Sequence, residues 1–280
     1  MKIKFKTKPK KIENNIYYFL DDTISNSSKE QEKHFNEYYV EYKKNRDKFI
    51  TKSYMQYISD EFNQIIEPNV SKKISLELAS GAGELSQIFK KRIKGYALDI
   101  SEKMLRTGSI NNKDLVYLHA DALDIPLKDN SVNIVFIIGG IHHIPDLERL
   151  FSEISRVLIT GGSFYFIEPL DDFVLWRCIR KVIYKFSPAL DEKNEHPIRR
   201  REVNGYLEKF NLKCEEWKTL GFFGFALLMN SDILKFNHLF EILPFRSLLV
   251  KFLIGIDKIF SKLPFFKSNG MVAISKYKKN

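Results

Sequence analysis

Between residues 74 and 169, short unbroken apolar runs alternate with stretches whose apolar residues recur every three or four positions. Ile74–Leu78, Tyr96–Ile100, Leu115–His119, Val132–Ile138 and Ser163–Glu168 are the short runs and read as strands. The run VNIVFII at 132–138 lacks the polar alternation of a half-exposed strand, which suits a parallel sheet covered by helices on both faces. Glu84–Ile93 and a segment opening at Ser101-Glu102 read as helices. Leu147, Leu150, Phe151, Ile154, Val157 and Leu158 mark a third, opened by Pro145-Asp146 and closed by Gly161-Gly162. Two further strands are expected around Lys213–Leu220 and Met271–Tyr277. The alternation predicts an α/β fold on a doubly wound, mostly parallel seven-stranded sheet.

The flanks have a different texture. Residues 1–28 read as a basic arm with a short apolar patch, Ile16–Leu20, and a polar loop, while Lys29–Ile66 is helical in pattern and closed by Pro68-Asn69. Past Pro169, Phe173–Phe186 and Ile233–Phe260 are amphipathic, aromatic and basic. The division this suggests is an arm and helical cap over 1–70, an α/β core over 71–170, and substrate-side helices with the last two strands and an inserted lid over 171–280.

Composition adds bounds. A chain of 280 residues, 44% apolar and 29% charged, is an ordinary globular one with a substantial core. Cys178 and Cys214 are too few and too far apart for a disulfide framework, and are expected as buried thiols in a reducing compartment. The opening MKIKFKTKPKK has no apolar run behind it, and Ser247–Ile256, interrupted by Lys251, falls short of a bilayer span. The expectation is therefore a cytoplasmic protein. A net charge of +10 suits solubility, or a nucleic acid, a phosphorylated substrate or an anionic membrane at the inner surface.

Candidate chemistry gathers at the strand ends. The turn after the first core strand, Glu77-Leu-Ala-Ser-Gly81-Ala-Gly83-Glu84, has glycines where a backbone could approach a ligand. A nicotinamide dinucleotide would need a third glycine where Ser86 stands, and Glu84 at the helix start would repel its pyrophosphate. A cationic ligand without phosphates meets no such repulsion. Glu77 could attract its ammonium end, Asp99 two ribose hydroxyls, and Asp121-Ala122 an adenine edge. Taken singly, these acids would pass for helix caps; their succession on three strand ends outlines a nucleoside with a positive tail. No metal-ligand cluster stands out.

The runs LELASGAGELS, YALDISEKML, HADALDIPLKDNSVNIVFIIGGIHHIPD and LFSEISRVLITGGSFYFIEP together resemble class I S-adenosylmethionine-dependent methyltransferases, in particular the methyltransferase type 11 group. The resemblance implies a Rossmann-like methyltransferase fold and S-adenosylmethionine as cofactor. It implies cofactor contacts by Glu77, Ala79, Ser80, Gly81 and Gly83 in the turn, Asp99, Ile100 and Met104 after the second strand, Asp121 and Ala122 after the third, and Gly139 after the fourth. Ala79 stands where the usual motif has its first glycine. His142 and His143 fall beside the expected reactive methyl, where an imidazole suits a general base; alternatively one packs under the next helix and the other lines the pocket. No metal is implied.

The segment IGGIHHIPD is not the Pro-Pro-aromatic signature of enzymes that methylate nucleobase amines, and no Pro-Cys nucleophile occurs. The acceptor is thus expected to be a small molecule or a lipid or sugar intermediate. An RNA methyltransferase and a non-catalytic relative acting as a binding partner are the alternatives. In the family, the N-terminal helices and the stretch after the fifth strand cover the substrate, which makes Tyr38, Tyr42 and His196 candidate contacts. The insertion Ser231–Ser268 reads either as a packed helical lid or as an interfacial helix pair on an anionic membrane.

Overall fold

The computed structural model describes residues 4–20, 24–83, 85, 93–178, 181, 197–229 and 236–280, with backbone only for 38–43, 45, 46 and 236–238. The seven expected strands are present as β3 (Ile74–Leu78), β4 (Lys94–Asp99), β5 (Leu115–His119), β6 (Val132–Ile138), β7 (Leu158–Pro169), β8 (Leu212–Leu220) and β9 (Val272–Lys279). Two short strands from the basic arm, β1 (Lys11–Glu13) and β2 (Ile16–Tyr18), extend the sheet. Three residues each are too few to show an alternating pattern. Their hairpin turn, Asn14-Asn15, has positive φ at both positions, as a tight turn matched to strand twist requires.

The sheet order is β1-β2-β5-β4-β3-β6-β7-β9-β8. Strands β2 to β7 pair in parallel, whereas β1 and β9 run antiparallel to their neighbours. Both faces are covered, as the unbroken apolar runs foretold. Along β6, Ile134, Phe136 and Ile138 join a cluster with Phe62, Tyr165 and Ile274. Val135 and Ile137 join one with Leu76, Phe151, Phe164 and Tyr277 on the other face.

The helical pattern over 29–66 is two helices, α1 (Asn26–Arg46) and α2 (Phe49–Ile65), separated where Lys48 turns extended. After α3 (Glu102–Asn111) comes α4 (Leu147–Val157), which ends earlier than Gly161-Gly162 suggested. Leu158 is buried and already paired with Val132, and the N–H groups of Asn130 and Ser131 take the carbonyls of Arg156 and Val157 at 2.9 and 2.8 Å. Sheet pairing, rather than the glycine pair, ends the helix. The expected helix over 84–93 lies outside the described residues apart from its edges, as does most of 173–186.

Helices α5 (Arg200–Lys209), α6 (Phe236–Glu241) and α7 (Arg246–Phe260) complete the chain. The last two belong to the insertion between β8 and β9. Val250, Leu253 and Asp257 of α7 are buried, so the insertion packs on the core as a lid. Asp257 accepts the Tyr54 hydroxyl of α2 at 2.5 Å and the N–H groups of Phe223 and Gly224 at 3.0 and 3.1 Å. The expectation of two buried thiols is corrected: Cys178 is exposed and Cys214 half-buried, because each sits on the outer side of a peripheral element.

Candidate functional site

Chain order reverses between β3 and β6, and in doubly wound sheets such a switch opens a crevice at the carboxyl ends of the strands. A cleft lies there, lined among others by Ala79, Gly81, Asp99, Ile100, Met104, Asp121, Ala122, Gly139 and His143. The turn leaving β3 is left-handed at Ala79 (φ +49°) and Gly81 (φ +52°). For a residue with a Cβ this conformation costs roughly 1–2 kcal/mol. Room for the Ala79 methyl comes from Gly140, where a Cβ would stand 2.5 Å from it.

Asp99, at the end of β4, is 7% exposed and held by two backbone donors, Gly81 N–H at 2.7 Å and Ser101 N–H at 2.8 Å. Its carboxylate lines the cleft. Asp121 accepts Leu123 N–H at 2.8 Å and the Ser28 hydroxyl at 2.6 Å. At Gly139 the φ is +65° and a Cβ would meet nothing within 4 Å, so its backbone faces open space. Glu77 is buried beneath the turn, where it accepts Leu85 N–H at 2.9 Å. It places negative charge behind the turn and does not line the cleft. Ser80 is buried in the same turn, its N–H on the Leu98 carbonyl at 3.0 Å, and Gly83 closes the turn back onto Ser80 at 2.9 Å.

The two adjacent histidines part company. His143 lines the cleft, while His142 turns to Glu168 at the end of β7, its Nδ1 2.8 Å from the carboxylate. That carboxylate is fully buried and also accepts the N–H groups of Gly140 and Ile141 at 2.6 and 2.7 Å. Burial pushes its pKa up to about 7, against the pull of those two N–H groups. The His143 ring lies 3.9 Å, centroid to centroid, from His142 and edge-on to Phe35 at 5.1 Å. Burial, and then the His142 charge, hold the His143 pKa well below the usual imidazole value. The ring facing the cleft is thus held in its neutral form.

Residues 76–166 match the family model described as a methyltransferase domain. The stretch that carries most of the cleft is thus similar to methyltransferase domains. Among curated relatives, a demethylmenaquinone methyltransferase of Thermobifida fusca is 30% identical over 119 residues, covering 38% of this chain and 50% of the relative. A ubiquinone/menaquinone biosynthesis C-methyltransferase of Hydrogenovibrio crunogenus is 33% identical over 107 residues, covering 34% and 41%. The chain thus spans half or less of the length of these relatives. An S-adenosylmethionine-dependent methyltransferase of Thermotoga maritima superposes with a TM-score of 0.60 at 18% identity, over 89% of this chain and 99% of that one, and so shares the fold.

The cleft of the methyltransferase domain fits S-adenosylmethionine. Asp99 and Asp121 line it, and none of the described lining residues is a lysine or arginine that would select a phosphate. The N-terminal helices were expected over the pocket, but through Tyr38 and Tyr42 rather than through the α1 residues that line it. Gln31 and Phe35 line the cleft, Ser28 bonds Asp121, and the Gln31 amide bonds the His143 carbonyl. Asn36 accepts the Ser101 hydroxyl at 2.8 Å. Phe35, legible on the apolar side of the helical pattern, was the only signal for this arrangement. Glu168 was likewise invisible as a partner of His142, 26 residues away. The Tyr38 and Tyr42 side chains and His196 lie outside what is described.

Proposed function

We propose that this protein transfers the methyl group of S-adenosylmethionine to a small, largely apolar acceptor of quinone or lipid-intermediate type. The observation that carries the reading is the single cleft in which Asp99, Asp121-Ala122 and Gly139 meet His143. S-adenosylmethionine supplies an electrophilic methyl on a sulfonium. Asp99 would hold the ribose diol, Asp121 and the Ala122 N–H the adenine edge, and Glu77 would set a compensating charge behind the turn. Phe35, Ile138 and Ile144 give the remaining wall an apolar character suited to an aromatic or prenylated acceptor and excluding water. His143 lines the cleft as a neutral imidazole and would take the proton that the acceptor loses once the departing sulfonium charge and the entering acceptor have changed its surroundings. His142 and Glu168 act through position: together they clamp the loop carrying His143.

The names of the two curated relatives favour a quinone-type acceptor. The described cleft lining holds no lysine or arginine, which favours a small acceptor over RNA in the cleft itself; Lys6, Lys8, Lys10 and Arg149 line a separate cavity on the other side of Asp121. Contact with an anionic membrane at its inner surface belongs to the same reading. Calorimetry with S-adenosylmethionine tests it: the parent protein is expected to bind and Asp99→Ala to bind at least tenfold more weakly, about 1.4 kcal/mol. His143→Gln should keep that affinity while methyl transfer to a demethylquinone slows by about a hundredfold. Absence of binding by the parent protein sinks the proposal.

A further inference from the structure

The insertion between β8 and β9 buries one side of α7 and leaves the other bare. Val250, Leu253 and Asp257 face the core. At about 100° per residue, Leu248, Phe252 and Ile259 fall within one narrow stripe on the opposite side. They are 67%, 63% and 62% exposed, and Phe245 and Phe265 before and after them are 74% and 66% exposed. A row of large apolar side chains in water is costly for a lone soluble domain.

Charge says what the row faces. Lys251 and Lys258, both exposed, fall about 90° to one side of the apolar stripe. Lys262 and Lys267 follow on the same segment and are exposed. Between residues 242 and 270 the one acidic residue is Asp257, which is fully buried beneath the helix. The exposed side of this segment is therefore apolar in the middle and purely cationic at its flank. A second copy of the chain would set that lysine flank against itself in a two-fold contact. An anionic bilayer instead takes the apolar row into its interface and the ammonium groups among its headgroup phosphates, the long lysine stems reaching outward.

The segment is also placed where such contact would matter. Leu220 and Val272, its points of exit and re-entry, pair in register with each other and with Pro169, next to Glu168 of the His142 clamp. The insertion thus leaves the sheet at its cleft end. Val174 and Leu175, 63% and 60% exposed, follow β7 at that same end.

From this we infer that residues 242–267 form a docking surface for an anionic lipid bilayer, which the lid grips through its apolar row and lysine flank beside the cleft. The inference rests on the proposed methyl transfer only for its purpose, delivery of a membrane-borne acceptor; the surface itself stands on exposure and charge. The test is co-sedimentation of the full chain with vesicles of phosphatidylcholine, with and without phosphatidylglycerol, alongside S-adenosylmethionine calorimetry on the same preparation. Partitioning to the anionic vesicles is expected to exceed that to neutral ones by at least about tenfold and to weaken in high salt. Leu248→Asp with Phe252→Asp, and separately Lys251→Glu with Lys258→Glu, should each lower it by a similar factor. All four residues are exposed, so cofactor affinity should stay unchanged. Lys258 also rests over the Tyr57 ring at 5.3 Å, so Lys251→Glu alone serves as the charge variant that leaves the thermal midpoint in place. Equal binding to both vesicle types, no binding, or binding untouched by the variants overturns the inference. So does sedimentation as a dimer that the aspartate pair dissolves, which would assign the face to a second copy. Cofactor binding without vesicle binding overturns the docking surface alone. Vesicle binding without cofactor binding supports the surface and overturns the methyl-transfer reading.

Discussion

Ala79 sits at φ +49°, a conformation in which glycine is at ease and alanine is strained. Ala79→Gly should relieve that strain but make the unfolded chain more flexible, for a net gain of about 0.5–1 kcal/mol in denaturant unfolding. Gly140→Ala sets one methyl 2.5 Å from another and should be clearly destabilising. In the Ala79→Gly background most of that cost should vanish, a coupling of about 1–2 kcal/mol in a double-mutant cycle. Additive effects would mean the two positions do not share the space. Glu168 poses a second residue-scale question. Glu168→Ala strands the Gly140 and Ile141 N–H groups and should cost about 2–4 kcal/mol, whereas Glu168→Gln keeps an oxygen for both and should cost less. Burial raises the folded-state pKa of Glu168 to about 7, above its unfolded value. Its protonated form is thus favoured by folding: the contribution is complete below the ordinary carboxylate range and is lost as pH rises through about 7. Between pH 5 and 7, parent stability relative to Glu168→Gln should fall as pH rises. A flat difference would place the Glu168 carboxylate in a more polar setting than the one described.

At the scale of elements, two helical layers cross the cleft end of the sheet. Helix α1 spans from Asp121 to His143 through Ser28, Gln31 and Phe35, touching both the adenine end and the reacting end of the proposed cofactor position. Helix α7 is tied to α2 through Tyr54 and Asp257, and both groups are buried; burial raises the pKa of each. Tyr54→Phe deletes the hydroxyl and should cost about 1–3 kcal/mol, since the acceptor is an acid left with fewer partners. The loss should concentrate in the lid, read as faster amide exchange over 246–260 with β3 to β7 little changed. Uniform acceleration through the sheet would show that the lid and core unfold as one unit.

Across the whole molecule, charge and apolar surface are distributed separately from the cleft. The net charge of +10 contributes no lysine or arginine to the described cleft lining, while four lysines gather on the exposed side of the lid segment. A nucleic-acid enzyme would be expected to concentrate cations around its reacting centre. Here four of them flank an exposed apolar row, the arrangement on which the proposed docking surface rests, and Lys6, Lys8, Lys10 and Arg149 line a cavity beside Asp121. Among the described residues no helix is long and apolar enough to cross a membrane.

The core strands were legible in the sequence because each is buried on both faces, and burial leaves an unbroken apolar run whatever its neighbours. The turn at 79–83, Asp99 and Asp121-Ala122 were legible for a related reason: strand ends in this fold carry the ligand, so position along the chain already implies position in space. Only the tertiary structure decided what depends on distant partners. It divided the adjacent histidines, giving His142 to Glu168 and His143 to the cleft. It brought Ser28 to Asp121, 93 residues apart, and Tyr54 to Asp257, 203 apart. It added β1 and β2 and stopped α4 at Val157 because pairing with the sheet outweighed local signals. It also showed which side of α7 the core had already taken, and hence which side it left exposed. Periodicity marks a side chain as apolar, but the packing of remote segments determines whether it is covered.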